Sequence, residues 1–118
     1  MLPDRSSDAA NLDDLVAACL RVMNYISEAS RADFDRDDRL FSACCYQIAV
    51  IGEAVKRVSP DTRSRHPQVP WRDIAGMRDR LIHGYDVVDL DELWKTATED
   101  VPQLLAQVKQ ILAVDFSQ

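Results

Sequence analysis

Apolar residues recur at steps of three and four along most of this chain. Leu12, Leu15, Val16, Cys19, Leu20, Met23 and Ile26 form one stripe, which predicts an amphipathic helix. The polar segment 27–38 interrupts it, with a short helical turn expected around Ala32, Asp33 and Phe34. A second stripe, Leu40, Cys44, Ile48, Ile51, Val55 and Val58, is flanked by Phe41, Cys45 and Ala49. That apolar side is wide enough for a central helix, and Ser59-Pro60 ends it because proline disfavours helix in the residue before it. A connector over 61–70 has room for one helical turn before His66-Pro67. Pro70 or Trp71 then opens a third helix through Ile74, Met77, Leu81 and Ile82, with Gly84 as its stop. Asp89 and Glu92 have the spacing of a capping box. They open the last stripe: Leu90, Leu93, Trp94, Ala97, Val101, Leu104, Leu105, Val108, Ile111 and Leu112. Pro102 should kink or split this helix, with Asp100 as a second cap. There is no convincing period-two alternation and no internal repeat. The expected fold is all-α: an up-and-down bundle of four main helices plus short helical turns. Residues 1–10 are expected as a flexible N-terminal arm, and 11–118 as one helical domain.

Composition narrows the setting. A chain of 118 residues fits one domain and buries roughly two-thirds of its unfolded surface, so one core suffices. The first residues lack the apolar stretch of a secretion signal, and no apolar run approaches the ~20 residues that cross a bilayer. A cytoplasmic protein without membrane contact is expected. Three cysteines is an odd number for a disulfide framework, and Cys44 and Cys45 are adjacent, about 100° apart on a helix. With no paired CxxC spacing, they read as reduced, buried thiols, and no metal or cofactor is expected.

Charge brings in the chemistry. Seven basic residues between Lys56 and Arg80 face three acidic ones, a net of +4 that leaves −10 for the rest of a chain whose formal charge is −6. Basic charge is thus concentrated where a phosphate-binding surface would need it, although the acidic whole disfavours nucleic-acid affinity. At the end of that stretch and just beyond it, Arg78, Asp79, Arg80, His83 and Tyr85 are not explained by core building. Arginine offers a fixed fork of donors to a phosphate and stays charged. Histidine can take and give a proton near neutrality. Tyrosine can bond a phosphate or stack on a base. Together they suffice to cleave RNA by attack of a 2′-hydroxyl on the adjacent phosphate, without a metal. On one straight helix, however, residues five apart point about 140° away from each other, so Arg78 and His83 would diverge. Either the last turn distorts near Gly84, or a second copy in a symmetric dimer completes the site.

The pattern Arg78-x4-His83-x-Tyr85 resembles the signature of the HEPN superfamily, specifically its HepT-like toxins. The resemblance extends to Ile51-Gly52-Glu53-Ala54, Pro67 to Pro70, Trp71 through Asp79, and Val88-Asp89-Leu90 with Trp94, and spans roughly residues 12 to 112. It implies a homodimeric, metal-independent endoribonuclease, the toxin of a toxin–antitoxin pair. Arg78 and His83 would be its catalytic residues. The implied partner is a small nucleotidyltransferase antitoxin of the MntA type, which can transfer AMP to Tyr85 and block RNA from the site. Asp79, Arg80 and Glu53 are supporting candidates; Glu53 either orients Arg78, pairs with Arg57 or is simply a solvated side chain.

Other residues carry less. Asp33, Asp35 and Asp37 have calcium-loop spacing, but Asp38 stands where glycine is needed and Cys44 where the bidentate Glu belongs. His66 reads as a surface histidine without a role, and Trp71 and Trp94 as core. The alternative function is a non-catalytic subunit that holds nucleotide or substrate for a nucleotidyltransferase; a third reading is a dimerisation partner with no site.

Overall fold

A computed structural model describes residues 5–83 and 87–116. Helix α1 (Arg5–Ile26) and helix α3 (Asp38–Arg57) pack along their lengths, with the short α2 (Arg31–Arg36) between them in sequence. Then come α4 (Pro60–Arg65), α5 (Trp71–Ala75) and α6 (Met77–Leu81). A two-residue ladder follows, β1 (Ile82–His83) antiparallel to β2 (Val87–Val88), with Ile82 opposite Val88 and His83 opposite Val87. The chain closes with α7 (Leu90–Lys95), a π-helical turn (Thr96–Asp100) and α8 (Val101–Asp115), which lies against α1. This is the expected all-α bundle.

The stripes read from the sequence supply the core, except that Leu20 of the first stripe is exposed. Leu12, Leu15, Cys19, Cys44, Ile48, Ile51, Val55, Leu93, Val108 and Ile111 are fully buried. Burial of apolar surface at about 25 cal/mol per Å² is the main force holding these helices together. Phe34 is buried from the short α2 and meets Trp94 edge-on, ring centroids 5.3 Å apart. Arg31 of α2 also pairs with Asp91 of α7 at 2.7 Å. Desolvation pushes the Cys19 and Cys44 thiols up to about 12, so both are neutral packing groups.

Caps set the boundaries. Asp37 accepts from the amides of Arg39 and Leu40 at the start of α3, and Ser59 Oγ from that of Thr62 at the start of α4. Asp89 Oδ1 accepts from the Glu92 amide at 3.0 Å, as its spacing predicted.

Four expectations need correction. Residues 5–10, read as part of an arm, are helical, and Asp8 is buried. Its carboxylate accepts from the Ser59 amide at 2.8 Å, from Ser59 Oγ at 2.6 Å and from Thr62 Oγ1 at 2.5 Å. A polar residue in a polar-looking segment is buried here because a distant helix end supplies its donors. The third helix is broken at Gly76, and it ends at Leu81 rather than near Gly84. Glycine costs about 1 kcal/mol in a helix interior, which places the break there. Two-strand pairing among the β-branched Ile82, Val87 and Val88 then replaces the last helical turn. The ladder is also the strand structure that no alternation predicted. Lastly, Pro102 produces a π-helical turn in place of a kinked cap. The Val101 amide bonds back to Thr96 and the chain stays helical, while Asp100 makes no side-chain cap.

Candidate functional site

Arg78 and His83 sit either side of the point where α6 gives way to β1. Met77 and Leu81, both about 1% exposed, anchor the α6 turn in the core and turn Arg78 outward. The Ile82 amide closes the helix onto the Arg78 carbonyl, and the Asp89 amide donates to the Leu81 carbonyl at 2.7 Å. His83 therefore begins its own course on extended backbone, one residue after the helix closes. The angular divergence of a straight helix, which motivated a second copy to complete the site, does not apply, because His83 is not on that helix. Tyr85 and Gly84 lie outside the described residues.

The site is open. Arg78 is half-exposed, Asp79 strongly exposed, and His83 exposed. The Arg78 Nη1 to Asp79 Oδ1 distance is 3.4 Å, a loose contact between neighbours. The Arg78 guanidinium and the His83 imidazole do not bond to each other, which leaves the donors of both available to a ligand. On its inner side Arg78 approaches α3 at Cys45. Burial holds that thiol above its ordinary pKa, with the Arg78 charge pulling it down.

The supporting candidates divide. Arg80, two residues on, projects away from Arg78 and pairs with Asp73, lining surface depressions beside α5 and α8. Glu53 approaches neither Arg78 nor Arg57 as an ion pair; it contacts Lys56 at 3.5 Å and lines a groove between α1 and α3. Helix geometry accounts for this, since Lys56 is one turn away on the same exposed side, and it agrees with the solvated reading of Glu53. Of the five described candidates, Arg78, Asp79 and His83 are exposed on the two sides of the α6–β1 junction.

His66 was misjudged as well. Its Nε2 lies 2.8 Å from Asp115 Oδ2, which also takes Arg65 Nη2 at 3.0 Å, while the Trp71 indole donates to the His66 carbonyl. The cluster fastens the end of α8 to the connector before α5. No local sequence signal links residues 49 positions apart. The calcium reading fails on use: Asp33 pairs with Arg36 and Asp35 with Arg31. Among the described residues, no group of three or more acidic, His or Cys side chains is placed to hold a metal ion, and no helix is long and apolar enough to cross a membrane.

Comparison with known proteins decides the family. The model of the "Ribonuclease HepT-like" family matches residues 15–111. The chain belongs to the HepT-like ribonuclease family, of HEPN type. Its relatives carry matching names. A protein of Caldanaerobacter subterraneus subsp. tengcongensis named "Putative RNase" is 39% identical over 101 residues, 86% of this chain and 90% of the relative. A "Probable ribonuclease HepT" of Thermococcus cleftensis is 37% identical over 100 residues, covering 85% and 91% of the two chains. A further "Putative RNase", from Methanocaldococcus jannaschii, is 32% identical over 103 residues. No solved structure matches the chain.

Proposed function

We propose that this HepT-like chain is a metal-independent endoribonuclease, the toxin of a toxin–antitoxin pair, with Arg78 and His83 as its catalytic residues. The carrying observation is that this arginine and histidine stand exposed at one helix-to-strand junction, free of each other, in a chain of a ribonuclease family. An open surface suits a polymer better than a small metabolite.

In this reading RNA lies across the junction with one phosphate on Arg78. His83 removes the proton from the neighbouring 2′-hydroxyl as the 2′-oxygen attacks phosphorus, and the imidazolium so formed returns it to the departing 5′-oxygen. The P–O5′ bond breaks, leaving a 2′,3′-cyclic phosphate and a 5′-hydroxyl. Arg78 stabilises the charge that grows on the non-bridging oxygens. Asp79, in loose contact with Arg78, keeps the guanidinium near the surface; Arg80 and Glu53 are not needed for the step.

Tyr85 follows His83 by two residues in the sequence, and in this reading it accepts an AMP group that blocks RNA from the site. A small nucleotidyltransferase antitoxin acting there would silence the enzyme without unfolding it. The protein works as a cytoplasmic homodimer. Incubation of purified protein with RNA in EDTA, followed by analysis of the fragment ends, tests the proposal. Cyclic phosphate ends are expected with metal chelated, and an activity lost in EDTA and restored by magnesium would contradict it.

A further inference from the structure

The basic stretch between Lys56 and Arg80 is unevenly engaged by the fold. Arg65 is held by Asp115 at 3.0 Å and Arg80 by Asp73, while Lys56 and Arg78 have loose contacts with Glu53 and Asp79. Arg57 lines the groove between α1 and α3. Among the described residues, the side chains of Arg63 on α4 and Arg72 on α5 make no ion pair and no hydrogen bond. These two line one open depression, together with Pro60, Ser64 and Trp71. They come from different helices and meet because the connector between them folds back. The Trp71 indole donates to the His66 carbonyl at 2.9 Å, and the Val69 amide donates to the same carbonyl at 3.2 Å.

Both guanidiniums are prepared for an anion. Arg63 Nε is buried without an acceptor, so packing of the stem holds the group at the wall while its charge stays uncompensated. Arg72 is exposed and borders the same space. Two unpaired positive charges on one depression repel each other and gain nothing inside the fold, and a bound anion relieves both. The arginine fork matches phosphate oxygens, and the Ser64 hydroxyl on the same wall can donate as well. Position favours a phosphate of RNA over other anions. A second depression shares Trp71 and Arg72 with the first and continues past Gly76 to Arg80. The Gly76 amide bonds to the Arg72 carbonyl at 3.2 Å and the Arg80 amide to the Gly76 carbonyl at 3.4 Å. Arg72 therefore rides on the backbone segment that carries Arg78, six residues or about 9 Å of helical rise before it.

We propose that the depression between α4 and α5 is a phosphate subsite for the RNA strand flanking the cleavage point, with Arg63 and Arg72 as its ligands. This rests on RNA as the substrate in the functional reading and adds where the flanking strand runs. Contacts to backbone phosphate carry no sequence information, so the subsite strengthens binding and fixes the strand without choosing the base at the cut.

Fluorescence anisotropy of the full chain with a labelled single-stranded RNA tests this. The 2′-hydroxyls of that RNA are methylated, so it lacks the attacking group and stays intact. Arg63→Gln and Arg72→Gln should each raise Kd by about threefold to tenfold at low salt, whatever the RNA sequence. Each should also flatten the dependence of log Kd on log salt by about 0.7, the share of one phosphate contact on a single strand. With cleavable RNA the same variants should show a raised KM and an unchanged kcat at saturation, because neither arginine touches the reacting phosphate. Arg65→Gln removes the same charge from the same helix, but from a side chain already held by Asp115, and should keep the parental salt slope. Circular dichroism checks folding, and the exposed Arg72 carries the test alone if Arg63→Gln does not fold. An equal loss in Arg65→Gln would show that overall charge governs binding and would overturn the subsite. Parental RNA affinity in both arginine variants would overturn it too, and loss of a partner protein instead would make the depression a protein-docking surface. A parent that binds the methylated strand through these arginines but cuts no RNA would contradict the nuclease reading and leave the subsite standing.

Discussion

At the scale of single residues, the chain uses acid groups in two ways. Asp79 is spent on the surface, whereas Asp8 is buried and takes three hydrogen bonds from Ser59 and Thr62. Burial pushes the Asp8 carboxyl up, but the bonds from Ser59 and Thr62, helped by the charge of Arg65, outweigh it and hold it below its ordinary 3.8. A folded-state value below the unfolded one means the group stabilises the fold above the unfolded value. That contribution is lost as pH falls through the folded value. Urea unfolding followed below pH 4 should therefore show an acid-dependent loss in the parent that is smaller in Asp8→Asn. Asp8→Ala should cost about 1–3 kcal/mol at neutral pH by orphaning buried donors. Tyr85→Phe makes a different point. It keeps the ring and removes the hydroxyl, so RNA cleavage should persist while labelled AMP is no longer accepted from a partner nucleotidyltransferase. Continued AMP incorporation into that variant would show that the tyrosine is not the acceptor.

At the scale of elements, the close approach of α3 to α5 depends on Gly52. A Cβ built there would stand 3.4 Å from the Ala75 carbonyl oxygen and 3.7 Å from that of Ile74. A methyl group fits at ordinary contact distance, with backbone carbonyls close on one side. Thermal or denaturant unfolding should find Gly52→Ala near neutral, since relief of backbone entropy offsets the tight contact. Gly52→Val should lose about 1–3 kcal/mol through overpacking, and it should displace the α5–α6 segment that carries Arg78. A Val variant as stable as the parent would mean that α5 yields easily. The same segment marks the limit of reading elements from sequence. The long stripes of α1, α3 and α8 were legible because their apolar positions repeat over many turns. Two residues of strand cannot display a period, so the exchange of helix for ladder after Leu81 was hidden. Proline at 102 announced a disturbance, but whether the helix would kink or widen into a π-turn depends on packing that no local pattern encodes.

At the scale of the whole molecule, the apolar pattern specified the bundle, while residues paired across long separations were not legible. Asp8 with Ser59, and His66 with Asp115, meet only because the helices bring them together. The candidate site was legible as a list of residue types, and the family match covers the same stretch of chain. The partners of the supporting candidates were not legible: Arg80 pairs with Asp73 and Glu53 contacts Lys56, which only three dimensions reveal. The central claim is that the Arg78–His83 junction cleaves RNA, and the rate of cleavage in EDTA by parent and His83→Ala proteins, prepared identically and shown to be folded, tests it most directly. The account predicts a fall of about 10²–10⁴-fold, the usual worth of a proton-transfer group, with stability changed by no more than about 0.5 kcal/mol because His83 is exposed. Equal cleavage by the two proteins would contradict it.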